Sequence, residues 1–493
     1  MDSTRPSAAS MNEKTVRGAF WILIDAAGGQ VFSLLAFLVL ARLLAPQDYG
    51  VVALSLSILA IPTILLNEGF GDALIQRDNL RDAHINAAFW ANFSLAVVFV
   101  IAAEACAERL ADLTGEPLVE PAIRWMAPCL MATAAGSIAA NLYRRRLSYA
   151  TFALRTFVAT VSGALVGVGM ALAGFGVWSL VASQIVQQVV GLFVMWAGLG
   201  WRPRIAFSTE AFMDLYHFSS RVMAGNTVRF ARDKLDSVIV GTVLGPISLG
   251  YYYMAQRLLL TVSFVTISIS ENLMLPALSR MQSDESRLAQ SFVSMIVAGA
   301  MLWVPLVAGL GLISPHLIPS FFGRQWEPAI PVIMIFCVAA IPHVLSRTTG
   351  QALLAVGKPT LNVLLNAIHL AIMVVSFLIG VRFGIEGAAW AYAAMSMGIV
   401  PFHLWALHHV VKVAIGRLLS EYALVVAAGL IMAGPVLIVG RALSPTMGDW
   451  CLIGQIPTGI VTYLIALFCL VPRRVKEAQS LMSHLLPARF HLI

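Results

Sequence analysis

The sequence predicts an all-α integral membrane protein with about fourteen transmembrane helices, arranged as two pseudo-symmetric six-helix lobes around a central cavity plus two C-terminal helices. Apolar residues make up 59% of the 493 residues and charged residues 12%, far from the composition of a soluble domain. The apolar residues form stretches of about 20, the length of a helix that crosses a hydrocarbon core of about 30 Å. The alternating short strands of a membrane barrel do not occur in the pattern. A water-soluble enzyme is thereby excluded.

Apolar windows between polar breaks place the predicted spans along the chain. They begin near residues 19, 50, 84, 121, 152, 176, 216, 248, 289, 327, 361, 386, 420 and 451. Residues 1–16 are polar and no small-residue cleavage site follows the first apolar run, so we expect that run to remain as a span. The loops are too short to fold as domains, so any activity must reside in the helices.

Neither a metal nor a cofactor is expected. The five cysteines form no Cys-x-x-Cys pair, and most of them lie in apolar runs, where a thiol is a small buried side chain. His403, His408 and His409 lie near a loop without an acidic partner, which makes a metal site there improbable.

The distribution of Lys and Arg predicts the orientation. With a cytoplasmic N-terminus, 20 of the 32 basic residues fall in inner segments and 6 in outer segments. The outer six are Arg42, Arg109, Arg124, Arg324, Arg382 and Arg441. This asymmetry follows the positive-inside rule. It predicts a multi-pass membrane protein with both termini in the cytoplasm, and it explains the net charge of +7 without any nucleic-acid partner.

A weak internal repeat predicts the division into lobes. Residues 44–50, Leu-Ala-Pro-Gln-Asp-Tyr-Gly, return at residues 244–250 as Leu-Gly-Pro-Ile-Ser-Leu-Gly, six predicted spans later. An even number of spans keeps the orientation, so the lobes should be related by an axis along the membrane normal. The predicted lobes are residues 1–207 and 208–415, and residues 416–493 add two helices and a cytoplasmic tail. Recurrent turn residues of any polytopic protein are the alternative.

The seventh predicted span, residues 216–245, is the most charged. Its charged residues are Arg221, Arg229, Arg232, Asp233, Lys234 and Asp236. The five from Arg229 to Asp236 would cost roughly 12 to 17 kcal/mol if all of them faced lipid. At 100° per residue, Arg221, Arg229, Arg232 and Asp236 share one face, which favours a hydrated cationic cavity with the acids as counter-ions. A helix end at the cytoplasmic interface with snorkelling side chains is the alternative.

Three further charges lie deep in predicted spans. Asp25 lies in the middle of the first span before Gly28-Gly29, and Arg257 and Glu271 lie in the eighth. We therefore predict that Arg257 joins Arg221, Arg229, Arg232 and Lys234 in binding an anionic substrate. Asp25, Asp233, Asp236 and Glu271 are predicted to act as counter-ions or in ion coupling.

A basic cluster, Arg144-Arg145-Arg146 with Arg155, is predicted at the inner face. Two interpretations remain open. The cluster could anchor the chain on anionic lipid, or it could bind a substrate phosphate.

Several motifs together resemble the polysaccharide-transport, or Wzx-like, flippase family of the MOP superfamily. They are residues 41–50, residues 67–77, Arg144-Arg145-Arg146-Leu147-Ser148-Tyr149, residues 174–181, Arg232-Asp233-Lys234-Leu235-Asp236, residues 249–258 and Pro276-Ala277-Leu278-Ser279-Arg280. The resemblance implies flipping of undecaprenyl-pyrophosphate-linked oligosaccharide across the bacterial inner membrane for exopolysaccharide, capsule or lipopolysaccharide synthesis. It also implies polysaccharide polymerase and chain-length or export proteins as partners. Lys234 departs from the asparagine expected there, and its added charge suits an acidic repeat unit.

Two other functions compete with this one. A drug or cation antiporter of the same superfamily would share the two-lobe design, but acidic rather than Arg-rich cavity walls would suit its substrates. A membrane oligosaccharide polymerase or ligase would handle the same lipid-linked substrate, but it usually needs a sizeable outer loop for its catalytic groups. Neither pattern is present in this sequence.

Overall fold

The computed structural model describes residues 29, 31–68, 70–77, 79–146, 148–269 and 285–474. All regular secondary structure within these residues is helical, which confirms the predicted all-α class. The first helices are α1 (Val31–Leu43), α2 (Pro46–Glu68), α3 (Gly71–Gln76), α4 (Asp82–Thr114), α5 (Val119–Met126), α6 (Cys129–Arg145), α7 (Tyr149–Leu172), α8 (Val177–Ala197) and α9 (Thr209–Ile269). The others are α10 (Glu285–Leu317), α11 (Ala329–Ala340), α12 (His343–Ala355), α13 (Pro359–Gly380), α14 (Gly384–Gly398), α15 (Val400–Val410), α16 (Ile415–Met447) and α17 (Leu452–Leu470).

Nine of the described helical stretches are long and apolar enough to cross a membrane, and the bent pair α11 and α12 makes a tenth. The predicted number of about fourteen is therefore not confirmed. The first part of the first predicted span, residues 19–28, lies outside the described residues. The span predicted near residue 121 is divided into α5 and α6 around Pro128. Those predicted near residues 361 and 386 fall in one apolar stretch, Pro359–Val410.

Two compact units divide the chain, Met1–Gly250 and Tyr251–Ile493. In the first unit, α7 packs closely on α8 through small residues. A Cβ atom at Gly163 would lie 2.8 Å from the carbonyl oxygen of Ser183, and one at Gly167 would lie 3.0 Å from the Ser183 side chain. In the second unit, α16 and α17 pack on each other and on α10 around Met432, Val436 and Tyr463. The predicted lobes ending at residues 207 and 415 stay a prediction.

Helix α9 is interrupted at Gly245, where φ is 79° and ψ is 172°. Pro246 follows. A proline has no N–H to donate and disfavours a helical conformation in the residue before it. The positive φ also favours glycine, which has no Cβ to clash. The sequence Gly245-Pro246 thus ends the first part of α9, residues 209–244, and begins the second part.

The two copies of the repeat contact each other in the first unit. A Cβ atom at Gly50 would lie 1.7 Å from the carbonyl oxygen of Pro246, and one at Gly250 would lie 2.0 Å from that of Pro46. In each copy the glycine follows the proline by four residues, so the first turns of two helices cross with a glycine on both sides. Only glycine permits an approach this close. This crossing gives the sequence echo a physical cause.

In the first unit, the predicted inner segments lie at one end and the predicted outer segments at the other. At one end, Arg77 contacts Asp214 and the main chain of Arg204 contacts the side chains of Asn86 and Trp90. The other end holds the Gly50–Pro246 crossing, and there Gln47 donates a hydrogen bond to Glu116 over 2.8 Å. We call the first the basic end and the second the crossing end.

Candidate functional site

The charged part of α9 runs from the basic end to the crossing end of the first unit. Residues 209–244 form one uninterrupted helix, which at 1.5 Å per residue is about 54 Å long. A hydrocarbon core of about 30 Å covers only about 20 of these residues. A large part of the helix must therefore lie outside the hydrocarbon, and the position of each charge along the helix decides its environment.

If the end of this helix lies at the hydrocarbon boundary, its rise per residue gives the depth of each charged residue in the membrane. With Leu244, the last residue before the break, at the hydrocarbon boundary, the core reaches back to about residue 225. Arg221 then lies in the interface, as the snorkelling alternative requires. Arg229 and Arg232 then lie about 6 and 11 Å from the boundary near residue 225, and Asp236 lies about 12 Å from the boundary at Leu244. On this placement the interfacial alternative accounts for Arg221, and the assignment of Arg232 and Asp236 to a cavity stays a prediction.

The described side chains of this segment differ in exposure. Asp233 is exposed and Lys234 half-buried, whereas Asp236 is only 5% exposed. The Asp236 carboxylate accepts a hydrogen bond of 2.6 Å from the main-chain N–H of Ser237. By helical periodicity, positions 229 and 232 lie within about 40° of Asp236 around the helix. The face that they share therefore includes a position buried inside the protein.

The remaining predicted residues fall in different places. The helix backbone is described at Arg221, Arg229 and Arg232, but their side chains are not among the described ones. Arg257 is half-buried on the part of α9 that belongs to the second unit, among the buried residues Met254 and Leu258. Asp25 and Glu271 lie outside the described residues. The assignment of these residues to substrate binding and ion coupling stays a prediction.

Salt bridges and buried polar groups hold the basic end together. The Arg77 guanidinium lies 2.9 Å from the Asp214 carboxylate, and the buried imidazole of His84 lies 3.6 Å from the same carboxylate. Arg81 and Glu210 form an exposed pair at 3.8 Å. These contacts fasten the start of α9 to α4 and to the segment after α3. The charged part of α9 therefore begins from a fixed position.

Two of the three consecutive arginines bind main-chain carbonyls. Arg145 donates to the carbonyl oxygens of Leu74 and Ile75, at 3.0 and 3.1 Å, and also to that of Arg77. Arg146 donates to Leu199 at 3.3 Å, while Arg144 is exposed over the Phe152 ring. The last carbonyls of a helix have no partner within it, and Arg145 supplies one for α3. The sequence interpretation as a lipid anchor or a phosphate site missed this use, since the acceptors lie about 70 residues away.

Replacing Arg145 by glutamine is expected to lower the free energy of unfolding by about 1.5–3 kcal/mol, because a charged donor shared by several carbonyls is lost. Arg144→Gln is the matched control, since it removes the same charge from an exposed side chain. Thermal unfolding in detergent measures both. An equal decrease in the two variants would contradict the capping role of Arg145.

A small neutral cavity lies in the first unit between α2, α6 and α8. Its volume is about 40 Å³, and its polar lining comprises Thr63, Thr133, Gln184 and Gln188. The two threonine hydroxyls donate to carbonyls of their own helices, so they offer lone pairs to the cavity. This volume holds about three water molecules and no sugar ring. No sequence pattern had indicated it.

In the second unit, an ion-pair network also holds helix ends together. Glu421, near the start of α16, accepts hydrogen bonds from Arg417 at 2.9 Å and from two nitrogens of Arg474 at 2.7 and 3.0 Å. Arg474 also donates to the Ser294 hydroxyl on α10. A bidentate Arg–carboxylate pair of this kind is geometrically specific. It fastens the residues after α17 to α10 and α16.

Comparison with known proteins identifies a family. The family described as "Polysaccharide biosynthesis protein" matches residues 39–331. The succinoglycan biosynthesis transport protein ExoT of Rhizobium meliloti is 27% identical over 331 residues, which cover 67% of each chain. The lipopolysaccharide biosynthesis protein WzxC of Escherichia coli is 21% identical, covering 88% of each chain. The teichuronic acid biosynthesis protein TuaB of Bacillus subtilis is 22% identical, covering 86% of this chain and 89% of its own.

Solved structures share the fold at low identity. The inward closed conformation of the lipid II flippase MurJ has a TM-score of 0.77 and 13% identity, covering 92% of this chain and 100% of its own. An inward-facing multidrug-resistance transporter of the MATE family, in the MOP superfamily, has a TM-score of 0.64 and 15% identity, covering 80% and 96%. The chain therefore has the helical fold of these transporters, as the sequence predicts.

Proposed function

Since this chain belongs to the family of polysaccharide biosynthesis proteins, we propose that it flips a lipid-linked oligosaccharide, carried on undecaprenyl pyrophosphate, across the bacterial inner membrane. The names of the relatives ExoT, WzxC and TuaB all refer to the biosynthesis of a bacterial surface polysaccharide. The fold shared with the lipid II flippase MurJ supports a transporter and not an enzyme. The polymerase or ligase alternative is not favoured.

The observation that carries this proposal is the concentration of charged residues on one uninterrupted helix, residues 209–244 of α9. A pyrophosphate-linked sugar is too polar to cross about 30 Å of hydrocarbon unaided. Arg229 and Arg232, on one uninterrupted helix with Asp233, Lys234 and Asp236, would supply the cationic site for the pyrophosphate or for uronate oxygens. Arginine suits this task because its planar fork binds two oxygens at once. An exporter of cationic drugs would favour the opposite charge.

The transport cycle is proposed to be alternating access. The predicted lobes, residues 1–207 and 208–415, would rock about a fixed site, as in other transporters built from repeats. Asp233 and Asp236 would balance the cations of α9, and Asp25 and Glu271 are the further carboxylates proposed for coupling. Proteins that polymerise the sugar units and export the chain would act on the product.

The proposed orientation places both termini in the cytoplasm. Reporter fusions after Ser208 and Arg417 are expected to report the cytoplasm, and fusions after Asp112 and Met447 the periplasm. The reason is the excess of basic residues in the predicted inner segments. Arg77, Arg145 and Arg204 gather at the basic end of the first unit, which would be its cytoplasmic end. Reversal at any of the four positions would contradict this topology.

The function is tested in cells that lack the gene. Loss of a flippase should leave lipid-linked repeat units on the inner leaflet, inaccessible to a sugar-modifying enzyme added to spheroplasts. Loss of a polymerase should instead leave single units exposed on the outer leaflet. The first result supports the proposal and the second overturns it.

A further inference from the structure

Helices α11 and α12 together have the length and apolar composition of one membrane span, and the pair is bent in its middle. Ala329–Ala340 and His343–Ala355 meet at an angle of 43°, with Pro342 at the junction. The two halves measure about 18 and 20 Å, so the break lies near the centre of the span. Broken helices at this depth are tolerated where protein or water satisfies their backbone, and transporters use them to build ion sites.

Side chains from two neighbouring helices satisfy the carbonyls at the break. The indole Nε1–H of Trp303 on α10 donates to the carbonyl oxygen of Ala340 over 2.7 Å. The hydroxyl of Tyr422 on α16 donates to the carbonyl oxygen of Ile341. Trp303 itself is only 2% exposed. The break in the second unit is therefore stabilised by hydrogen bonds from both α10 and α16.

His343, the first residue of α12, joins the break to a third helix, α14. Its Nε2 atom lies 3.2 Å from the hydroxyl oxygen of Ser396 and 3.3 Å from that of Tyr392. Its ring lies nearly parallel to that of Trp303, at 19° with the centroids 6.5 Å apart. Tyr392 in turn stacks on Phe336 of α11 at 4.3 Å. The imidazole thus joins α12 to two other helices, α10 and α14, near the middle of the bent pair.

We propose that His343 binds and releases a proton during transport, and that the α11–α12 break with Trp303, Tyr392 and Ser396 responds to it. This inference deepens the proposed function, on which it rests, by naming the coupling ion and its site. Histidine is the side chain whose charge changes most readily near neutral pH. An ionisable side chain inside the membrane is expected to serve transport.

Protonation of the Nδ1–H tautomer would rearrange the hydrogen bonds at this site. A neutral imidazole with its proton on Nδ1 accepts a hydroxyl proton at Nε2, whereas the imidazolium can only donate there. The hydroxyl of Tyr392 or of Ser396 must then turn to accept. The cation also lies beside the Trp303 ring, which attracts it, and the same indole holds the Ala340 carbonyl at the break. A single protonation would therefore affect the imidazole, the hydroxyls beside it and the Trp303 side chain that binds the Ala340 carbonyl.

Opposing electrostatic effects suit a proton that must both bind and leave. The carbonyl end of α11 and the Trp303 ring favour the cation, whereas the N-terminus of α12 disfavours it. Arg347 lies one turn further along α12. The other titratable groups of the helices around the break are Cys337, Tyr392, Tyr422, His369 and His403, and toward the helix ends Glu285, Arg287, His316, Glu386, His408, His409, Arg417, Glu421 and Arg441.

Fluorescence of Trp303 tests protonation independently of transport. An imidazolium beside an indole quenches its emission, so the difference between wild type and Trp303→Phe should fall as the pH decreases, with one inflection between about pH 5 and 8. His343→Gln should abolish that inflection, while His369→Gln, a histidine on α13, should keep it. Tyr392→Phe, which retains the ring packing, should shift it. A difference signal that does not change with pH, or one that persists in His343→Gln, overturns the proposal.

Flipping in proteoliposomes then tests coupling. A proton gradient should stimulate wild type and His369→Gln, and His343→Gln should lose the stimulation. An unchanged stimulation in His343→Gln overturns the coupling role. If no variant, wild type included, moves the lipid-linked sugar, the proposed function fails, and the fluorescence titration still decides whether His343 binds a proton.

Discussion

Replacing Gly50 or Gly250 by alanine is expected to abolish the folded protein. The new Cβ atom would lie 1.7 Å from the carbonyl oxygen of Pro246 in the first variant and 2.0 Å from that of Pro46 in the second. Both obstacles are backbone atoms at the start of a helix, and each belongs to a proline with a fixed φ. The clash can be relieved only by separating α2 from α9. The cost should exceed the about 1–3 kcal/mol of ordinary overpacking.

Gly169→Ala is the matched control, because a Cβ atom at that helical position in α7 would meet nothing within 4 Å. Monodispersity in detergent and the midpoint of thermal unfolding measure all three variants. We expect Gly169→Ala to behave as wild type and the other two to aggregate or to unfold at a much lower temperature. Wild-type behaviour of Gly50→Ala would show that the two first turns do not cross this closely.

Arg229→Ala and Arg232→Ala are each expected to reduce transport about ten- to a hundred-fold, the loss of one charge-assisted contact worth about 1.5–3 kcal/mol. Membrane insertion should not change, since each variant removes a charge and not an apolar packing group. Arg232→Lys should restore part of the rate, because lysine keeps the charge but cannot bind two oxygens in one plane.

Arg144→Ala is the control for this pair, since it removes an exposed cation at the basic end of the first unit. Initial rates of lipid-linked sugar transfer, normalised to the amount of inserted protein, measure the effect. Full activity of both alanine variants would favour an interfacial position for the charged part of α9. It would contradict a cationic substrate-binding site there.

The sequence predicted the helical class well because apolar stretches of about 20 residues have few other uses. It also showed the similarity of residues 44–50 and 244–250, but the close contact of the two glycines with the two prolines is visible only in the structure. The number of spans was less secure. Pro128 divides one apolar run into α5 and α6, and the short segment between α13 and α14 leaves two predicted spans in one apolar stretch.

Some candidate sites could be predicted from the sequence, and others became apparent only in the structure. Charges within an apolar run, such as those on α9, stand out in a sequence because they are costly in lipid. Arg145 and His343 could not be interpreted in this way. The carbonyls that Arg145 binds and the hydroxyls that contact His343 are distant in sequence. Only Pro342, beside His343, signalled a broken helix. Partners brought together by folding leave no local pattern.

Leaflet transfer of undecaprenyl-pyrophosphate-linked oligosaccharide in proteoliposomes tests the central claim most directly. The sugar is labelled, and the fraction open to an added membrane-impermeant glycosidase is followed with time. We expect wild type to expose the inner-leaflet pool, Arg144→Ala to match it, and Arg232→Ala to expose it about ten- to a hundred-fold more slowly. Exposure no faster than in protein-free vesicles, from wild-type protein that is folded and inserted, would contradict the claim that this protein is a flippase.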